Sequence, residues 1–253
     1  MVSEAERLAA ARAAVADAGI AQRAIACMDL TALGDDESEA SAEALLARAR
    51  TAGVAAVCLW PRFVPLAKAA LDGSGVRVAT VANFPDGGDD LGCAAEETAA
   101  AFAAGADEVD VVAPLEALQE GDVGLVAELV GLCRAVAPPD GTLKLILETG
   151  LLQDPPLITA AARSAVMAGI DMLKTSTGKV PIGATPEHAA VLLDVIAEAD
   201  GRVGLKVSGG IRTADQAAGY LALCDATLGP DWANPRTFRI GASSLLDALL
   251  ARR

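Results

Sequence analysis

Short runs of aliphatic and β-branched residues alternate along the chain with longer segments in which apolar residues recur at helical spacing. The short runs predict strands at 25–30, 55–60, 76–82, 108–113, 143–148, 172–175, 203–208 and 238–240. The longer segments predict helices at 37–51, 64–71, 91–104, 122–136, 156–168, 186–199, 214–223 and 243–251. Regular alternation of strand and helix is typical of a parallel sheet with helical connections.

Eight strand-helix units without a linker between halves predict the α/β class and a single (β/α)8 TIM barrel spanning 1–253. An added N-terminal helix within 1–19 is predicted from Ser3 to Ala18, because Ser3 and Glu6 form a capping box and Gly19 stops the pattern. A doubly wound open sheet is the alternative. That fold usually carries a glycine-rich dinucleotide loop after its first strand, and none follows Met28-Asp29-Leu30.

Alternation along the strands places charged side chains inside the barrel. Lys174 lies in an otherwise apolar strand and is expected to face inward with Met172. The inward faces of other strands are expected to carry Glu108, Asp110, Lys144, Glu148, Lys206, Ser208, Cys27, Asp29, Cys58 and Trp60. Burial lowers the pKa of a lysine and frees its amine as a nucleophile that can form a Schiff base. The alternative is that the Lys174 side chain reaches solvent from the strand end.

Composition limits the binding partners, the metal sites and the location that can be expected for this protein. The net charge of −14 argues against nucleic acid or an anionic membrane as partner. The five cysteines form no CxxC pair, and His188 is the single histidine, so no metal site is expected. The apolar runs are too short for a membrane span, and Met1-Val2-Ser3-Glu4 does not resemble a signal peptide, so a cytoplasmic protein is predicted.

Glycine-rich turns follow the last two predicted strands. One reads Ser208-Gly209-Gly210-Ile211-Arg212 and the other reads Gly241-Ala242-Ser243-Ser244. Glycines let backbone amides approach an anion closely, and the loops after strands seven and eight are the usual phosphate site of this fold. Gly178 and Lys179, after strand six, would close the third side. The alternative is that these are ordinary structural turns.

These residues together resemble the deoxyribose-phosphate aldolase family. The matching segments span most of the barrel, at 28–33, 57–63, 78–85, 105–112, 146–150, 174–179, 206–213 and 239–244. The most specific segments are Lys174-Thr175-Ser176-Thr177-Gly178-Lys179 and Lys206-Val207-Ser208-Gly209-Gly210-Ile211-Arg212-Thr213.

The resemblance implies that Lys174 forms the Schiff base, that Lys206 lowers its pKa and shares in proton transfer, and that Asp110 handles the substrate hydroxyl proton. It implies a substrate-binding set of Asp29, Thr31, Cys58, Thr177, Gly178, Lys179, Gly209, Gly210, Arg212, Gly241, Ser243 and Ser244. The implied reaction is reversible cleavage of 2-deoxy-D-ribose 5-phosphate to D-glyceraldehyde 3-phosphate and acetaldehyde, without a metal or an organic cofactor. Family members are often dimers or tetramers, so a homodimer or a homotetramer is compatible with the resemblance.

One departure from the family concerns proton return. Many members end in a flexible tail whose tyrosine shuttles a proton, whereas this sequence ends at Arg252-Arg253 and Tyr220 lies in a predicted helix. Another group and water are expected to replace that tyrosine if the tail is absent. The competing interpretations are another Schiff-base aldolase or transaldolase, a phosphate-binding barrel isomerase without a covalent step, and a catalytically silent binding protein.

Overall fold

The protein is described by a computed structural model that covers residues 2–253. Its eight strands are all parallel and pair in sequence order, with the last strand pairing with the first to close a barrel. The strands are β1 (Met28–Ala32), β2 (Ala56–Leu59), β3 (Arg77–Ala82), β4 (Glu108–Val112), β5 (Thr142–Ile146), β6 (Met172–Lys174), β7 (Gly204–Ser208) and β8 (Phe238–Ala242). The predicted (β/α)8 barrel is therefore confirmed.

A helix follows every strand, which accounts for the parallel pairing. The helices are α1 (Glu4–Ala13), α2 (Ala18–Ala26), α3 (Glu39–Ala52), α4 (Val64–Leu71), α5 (Leu91–Ala103), α6 (Leu115–Gln119), α7 (Gly124–Val136), α8 (Thr149–Leu152), α9 (Pro155–Met167), α10 (Pro186–Glu198), α11 (Ala214–Leu228) and α12 (Leu245–Leu250). Within residues 2–253, no helix combines the length and the apolar character that a bilayer crossing requires.

The prediction of one N-terminal helix from Ser3 to Ala18 was wrong, although its capping box at Ser3 is present. Helix α1 ends at Ala13, and a second helix, α2, begins at Ala18 with Asp17 as its N-cap. The Asp17 side chain accepts a hydrogen bond from the backbone of Ile20, so this aspartate starts a new helix within the segment that was expected to be continuous.

The first strand was also predicted to start too early. Ile25 belongs to α2, where it is buried with Ala21 and Ala24 along one helical face, and Cys27 is the C-cap of that helix. The strand starts at Met28. An apolar run of this length fits either a helix face or a strand, and the contacts of α2 with α11 and α12 decide the outcome.

Two residues whose side chains were expected to face inward from strands, Trp60 and Glu148, lie beyond the carboxyl ends of those strands. Trp60 follows β2, and its indole N–H donates to the backbone oxygen of Gly34 in the loop after β1. Glu148 follows β5 in a left-handed backbone conformation and begins the short helix α8, which the sequence pattern did not predict. Both residues therefore belong to the carboxyl-end loops of the barrel, where side chains can line a site.

The strand register brings the inward-facing charged residues side by side. Lys174 pairs with Lys206, Lys206 pairs with Arg239, and Asp110 pairs with Lys144. The opposite strand faces, which include Val109, Val111, Leu173 and Leu205, are buried in the apolar layer between the barrel and the helices. Alternation thus separates an apolar outer layer from a charged barrel interior.

Candidate active site

Three lysines converge on one aspartate inside the barrel. The Nζ atoms of Lys174 and Lys206 both lie 2.8 Å from Oδ2 of Asp110. The Nζ atom of Lys144 lies 2.7 Å from the other oxygen, Oδ1. All four side chains are buried, so the predicted set of Lys174, Lys206 and Asp110 does meet in space.

A second layer of charges surrounds this group. Asp29 lies between two cations, 2.5 Å from Nζ of Lys206 and 2.7 Å from Nη1 of Arg239. Glu108 likewise lies between two cations, with Oε2 at 2.5 Å from Nζ of Lys144 and Oε1 at 2.7 Å from Nη2 of Arg239. Neither carboxylate is left without a cation, which is the condition for holding such groups away from water.

Within the ion-pair network of the barrel interior, the charges balance only if one lysine is neutral. This network contains three carboxylates, those of Asp29, Glu108 and Asp110, and four basic side chains, those of Lys144, Lys174, Lys206 and Arg239. Arg77 also touches Glu108, but its side chain is 40% exposed and meets water at the other end of the barrel. Lys174 contacts one carboxylate of this network, whereas the other three basic side chains each contact at least two, so Lys174 is the surplus basic group of the network.

The pKa shifts agree with this balance. Burial lowers the pKa of Lys174, and the neighbouring charge of Lys206 lowers it further, while Asp110 opposes both effects without cancelling them. Burial acts in the same direction on Lys206, but Asp110 and Asp29 together outweigh it and raise its pKa. The arrangement therefore makes Lys174 the more easily deprotonated of the two amines.

The anions are held ionised by the same contacts. Burial alone would raise the pKa of Asp110, but the charges of Lys144, Lys174 and Lys206 hold that pKa well below its usual range. The pKa of Asp29 is lowered in the same way by Lys206 and Arg239.

A cavity of about 400 Å³ opens above the two lysines at the carboxyl end of the barrel. Its walls contain every predicted binding residue except Asp29 and Cys58, which lie deeper. The predicted residues that line it are Thr31, Lys174, Thr177, Gly178, Lys179, Lys206, Gly209, Gly210, Arg212, Gly241, Ser243 and Ser244. Gly34, Glu37 and Ser208 also line the cavity and were not predicted as site residues.

Two glycines of this cavity, Gly209 and Gly241, are required by close approach. A Cβ at Gly241 would meet Cβ of Ser208 at 2.9 Å and Cε of Lys206 at 3.0 Å. Gly209 has a φ of +86°, and a Cβ there would meet Cα of Gly183 at 2.9 Å. Larger residues would therefore displace the loop after β6 or the side chain of Lys206.

Two cationic side chains border the cavity mouth. The Nζ atom of Lys179 lies 2.9 Å from Oδ1 of Asp35 and 5.8 Å from the ring centre of Trp60. The Arg212 side chain is exposed, and its guanidinium donates no hydrogen bond to any group in residues 2–253. Lys179 is therefore already paired with Asp35, whereas the Arg212 guanidinium has no partner among residues 2–253 and is free to bind a negatively charged ligand.

Cys58 lies on the opposite, apolar side of the barrel interior. It packs in a small buried cluster with Leu33, Ala79 and Val81. Burial raises the pKa of its thiol, so the neutral form is favoured. The structure gives Cys58 the character of an apolar wall residue behind the cavity.

Arg239 and Glu148 were not among the predicted site residues. Arg239 lies two positions before Gly241 on β8, so strand alternation was a signal for its inward direction. Glu148 was predicted to face inward, but its contact with Thr177 was not predicted from the sequence. Such a contact depends on the position of the loop after β6, which a local sequence pattern does not predict.

Comparison with known proteins supports an aldolase site. The profile of the DeoC/LacD family aldolases matches residues 23–251. A tetrameric deoxyribose phosphate aldolase from Aeropyrum pernix shares 26% identity over 99% of this chain and 98% of its own, with a TM-score of 0.77. A Coccidioides immitis protein provisionally named deoxyribose-phosphate aldolase shares 27% identity over 99% of this chain and 98% of its own, with a TM-score of 0.81.

A Toxoplasma gondii protein with the same provisional name shares 25% identity over 92% of this chain and 94% of its own, with a TM-score of 0.86. The family profile covers nearly the whole barrel, including the strands that carry Asp110, Lys174 and Lys206. The chain therefore belongs to the DeoC/LacD family of aldolases.

Proposed function

We propose that this aldolase reversibly cleaves 2-deoxy-D-ribose 5-phosphate into D-glyceraldehyde 3-phosphate and acetaldehyde through a Schiff base on Lys174. The observation that supports this most is the surplus lysine: Lys174 shares Asp110 with two other lysines and lies beneath an open cavity. A neutral amine in that position is a nucleophile that a fully charged lysine would not provide.

The first step joins the amine to the open-chain aldehyde. The lone pair on Nζ of Lys174 attacks carbon 1. The carbonyl oxygen leaves as water after taking one proton from the attacking nitrogen and one from the solvent, and the solvent regains its proton when the imine is hydrolysed at the end of the cycle. The product is a protonated imine, which is positively charged. Asp110, at 2.8 Å from Nζ, stabilises that charge, since it is already placed beside the atom on which the charge develops.

The second step breaks the bond between carbons 2 and 3. The hydroxyl proton on carbon 3 passes to Asp110, directly or through a water, and the electrons of the broken bond move into the imine to give an enamine. D-glyceraldehyde 3-phosphate is released. Lys206 contacts the same oxygen of Asp110 at 2.8 Å, so it compensates the change in charge as the proton moves.

The third step returns a proton to carbon 2 of the enamine and regenerates the imine of acetaldehyde. The proton taken from the hydroxyl supplies this step by way of Lys206 and Asp110, so no proton is gained or lost overall. Water then hydrolyses the imine, which releases acetaldehyde and restores the amine of Lys174.

The substrate phosphate would occupy the outer part of the cavity. The backbone amides of Gly178, Gly209 and Gly210 and the unpaired guanidinium of Arg212 are the donors available there. Lys179 would exchange its exposed partner Asp35 for the phosphate, because an exposed ion pair of this kind is weak.

The test is borohydride reduction of the protein in the presence of acetaldehyde, followed by peptide mass spectrometry and an assay with 2-deoxyribose 5-phosphate. The expected result is a two-carbon adduct on Lys174 together with turnover. Trapping only with a longer keto donor would point to another Schiff-base aldolase or a transaldolase. Absence of any adduct would overturn the covalent mechanism.

We also propose that the protein forms a homo-oligomer, a proposal supported by the tetrameric relative from Aeropyrum pernix. Light scattering coupled to gel filtration should then give a mass of two or four chains. A single-chain mass at micromolar concentration would contradict this proposal without affecting the proposed reaction.

A further inference from the structure

One buried carboxyl group lies outside the ion-pair network. Glu148 is fully buried at the end of β5, with a φ of +49° that residues other than glycine seldom adopt. No lysine or arginine forms an ion pair with it among residues 2–253, in contrast to Asp29, Glu108 and Asp110. Its role is therefore different from balancing charge.

The side chain of Glu148 forms hydrogen bonds with a single residue, Thr177, in the loop after β6. Oε2 accepts a hydrogen bond from the backbone N–H of Thr177 at 3.2 Å and a second, short one from the Thr177 hydroxyl. The same hydroxyl oxygen accepts the backbone N–H of Lys179 at 3.0 Å. The only hydroxyl proton of Thr177 is thus committed to Glu148, and the turn at 177–179 is held by this carboxylate.

The segment that carries Glu148 also supports the neighbouring loops. A Cβ at Gly150 would collide with the backbone oxygen of Ile182, and one at Gly183 would collide with the backbone of Gly209. The backbone N–H of Ala184 donates to the oxygen of Ser208 at 2.9 Å. The loops after β5, β6 and β7 are therefore packed backbone against backbone.

We infer that Glu148 is a positioning residue for the phosphate-binding end of the cavity, where its carboxyl oxygen holds Thr177 so that the backbone amide of Gly178 and the side chain of Lys179 are available to the substrate phosphate. This inference rests on the proposed function. Glu148 does not line the cavity and acts through Thr177, which does. The residue thus supports phosphate recognition and takes no part in bond cleavage at Lys174.

The surroundings of the Glu148 carboxyl group fit a role in fixing the conformation of the loop after β6. Burial raises the pKa of Glu148, while the Thr177 bonds and the charge of Lys174 act in the opposite direction. The second oxygen, Oε1, is buried and has no hydrogen-bond partner among residues 2–253. One acceptor oxygen is all that Thr177 uses, so a glutamine should serve nearly as well as the glutamate.

The experiment compares Glu148→Leu with Glu148→Gln on two substrates, 2-deoxyribose 5-phosphate and unphosphorylated 2-deoxyribose. For Glu148→Leu we expect KM for the phosphate ester to rise by about 10- to 100-fold, since a displacement near 1 Å has effects of that order. We expect kcat, and kcat/KM for the unphosphorylated sugar, to change less than about threefold, and Glu148→Gln to recover most of the loss.

The matched control is Thr98→Val, which removes another buried threonine hydroxyl that donates only within helix α5 and to Cys133. Its kinetic constants should stay at wild-type values. Equal losses on both sugars in Glu148→Leu, an unchanged KM for the phosphate ester, or a Glu148→Gln variant as impaired as Glu148→Leu would each overturn the inference.

If Glu148→Leu does not fold, Thr177→Val removes the donor while keeping the side-chain shape, and Thr177→Ser restores it. Acetaldehyde trapping on Lys174 then verifies that the barrel site is intact. If the wild-type protein does not cleave 2-deoxyribose 5-phosphate, the proposed function fails. Calorimetry with inorganic phosphate then tests the inference separately, and Glu148→Leu must weaken phosphate binding for the inference to hold.

Discussion

The two sides of the barrel interior have different chemistry. On the side of β2 and β3, the inner residues Cys58, Ala79 and Val81 form a small apolar cluster with Leu33. Around the rest of the barrel, the inner residues include seven charged ones, Asp29, Glu108, Asp110, Lys144, Lys174, Lys206 and Arg239. Both sides are buried, so exposure to water does not explain the difference.

The contrast separates two tasks of the proposed reaction. The charged side places the carboxylate of Asp110 within hydrogen-bond distance of two amines, that of Lys174 with a lowered pKa and that of Lys206 with a raised pKa. The apolar side excludes water and offers no polar partner, which suits the small aldehyde end of a substrate. A weakly polar wall also strengthens the electrostatic effects on the opposite side. Changes on the charged side should therefore affect chemistry, and changes on the apolar side should affect mainly stability.

The largest effect is expected for Lys174→Ala. It should abolish both turnover and borohydride trapping with acetaldehyde, because Lys144 does not line the cavity and Lys206, which does, has a raised pKa. Lys68→Ala, at an exposed lysine paired with Asp107, is the control and should keep full activity. Trapping that persists in Lys174→Ala would refute the assignment and point to Lys206 or Lys144.

The next largest effect is expected on stability, where a substitution on the charged side of the barrel interior is compared with one on the apolar side. Glu108→Gln removes one of the carboxylates that pair with Arg239 and Lys144, which keep Asp29 and Asp110, and should lower the free energy of unfolding by ~3–5 kcal/mol. Val81→Ala on the apolar side should cost about 1–3 kcal/mol, the range for removing part of a buried aliphatic side chain. Urea unfolding measures both values. A smaller loss for Glu108→Gln would mean that the carboxylate is not needed to balance the interior.

A moderate effect is expected on the pH profile of Lys206→Leu. Removing this cation ends its electrostatic repulsion of a protonated Lys174. It also leaves Asp110 without the competing contact to Lys206, so the attraction between Asp110 and Lys174 becomes stronger, and both changes raise the pKa of Lys174. Because the neutral amine forms only above that pKa, the acid limb of residual activity should move to higher pH by about one unit or more. An unchanged acid limb would contradict the coupling between the two lysines.

The smallest effect is expected for Cys58→Ser on the apolar side. The hydroxyl is close in size to the thiol but lacks a partner in that cluster, so stability should fall by about 1–3 kcal/mol. The acid limb of the pH profile should remain at the wild-type position, since Lys174 keeps all of its hydrogen-bond partners. A shift as large as that of Lys206→Leu would show that the two sides are not separate.

Sequence patterns predicted the barrel because each strand is followed by a helix and each inner face alternates with an outer face. They predicted that Asp110, Lys174 and Lys206 point inward, and the ion pairs confirm it. They failed at Ile25, where an apolar run was compatible with a helix as well as a strand. They also did not predict the hydrogen bonds of Glu148, because the loop that supplies them is placed by packing between glycines.

The sequence by itself determined which residues lie inside the barrel, since strand periodicity is a local property of the chain. Only the tertiary structure decided which of the interior lysines has a lowered pKa. That outcome depends on how three carboxylates are shared among four buried basic side chains, and the partners lie as far apart in the chain as Asp29 and Arg239. The pKa of Lys174 is therefore set by distances between strands, which no single segment encodes.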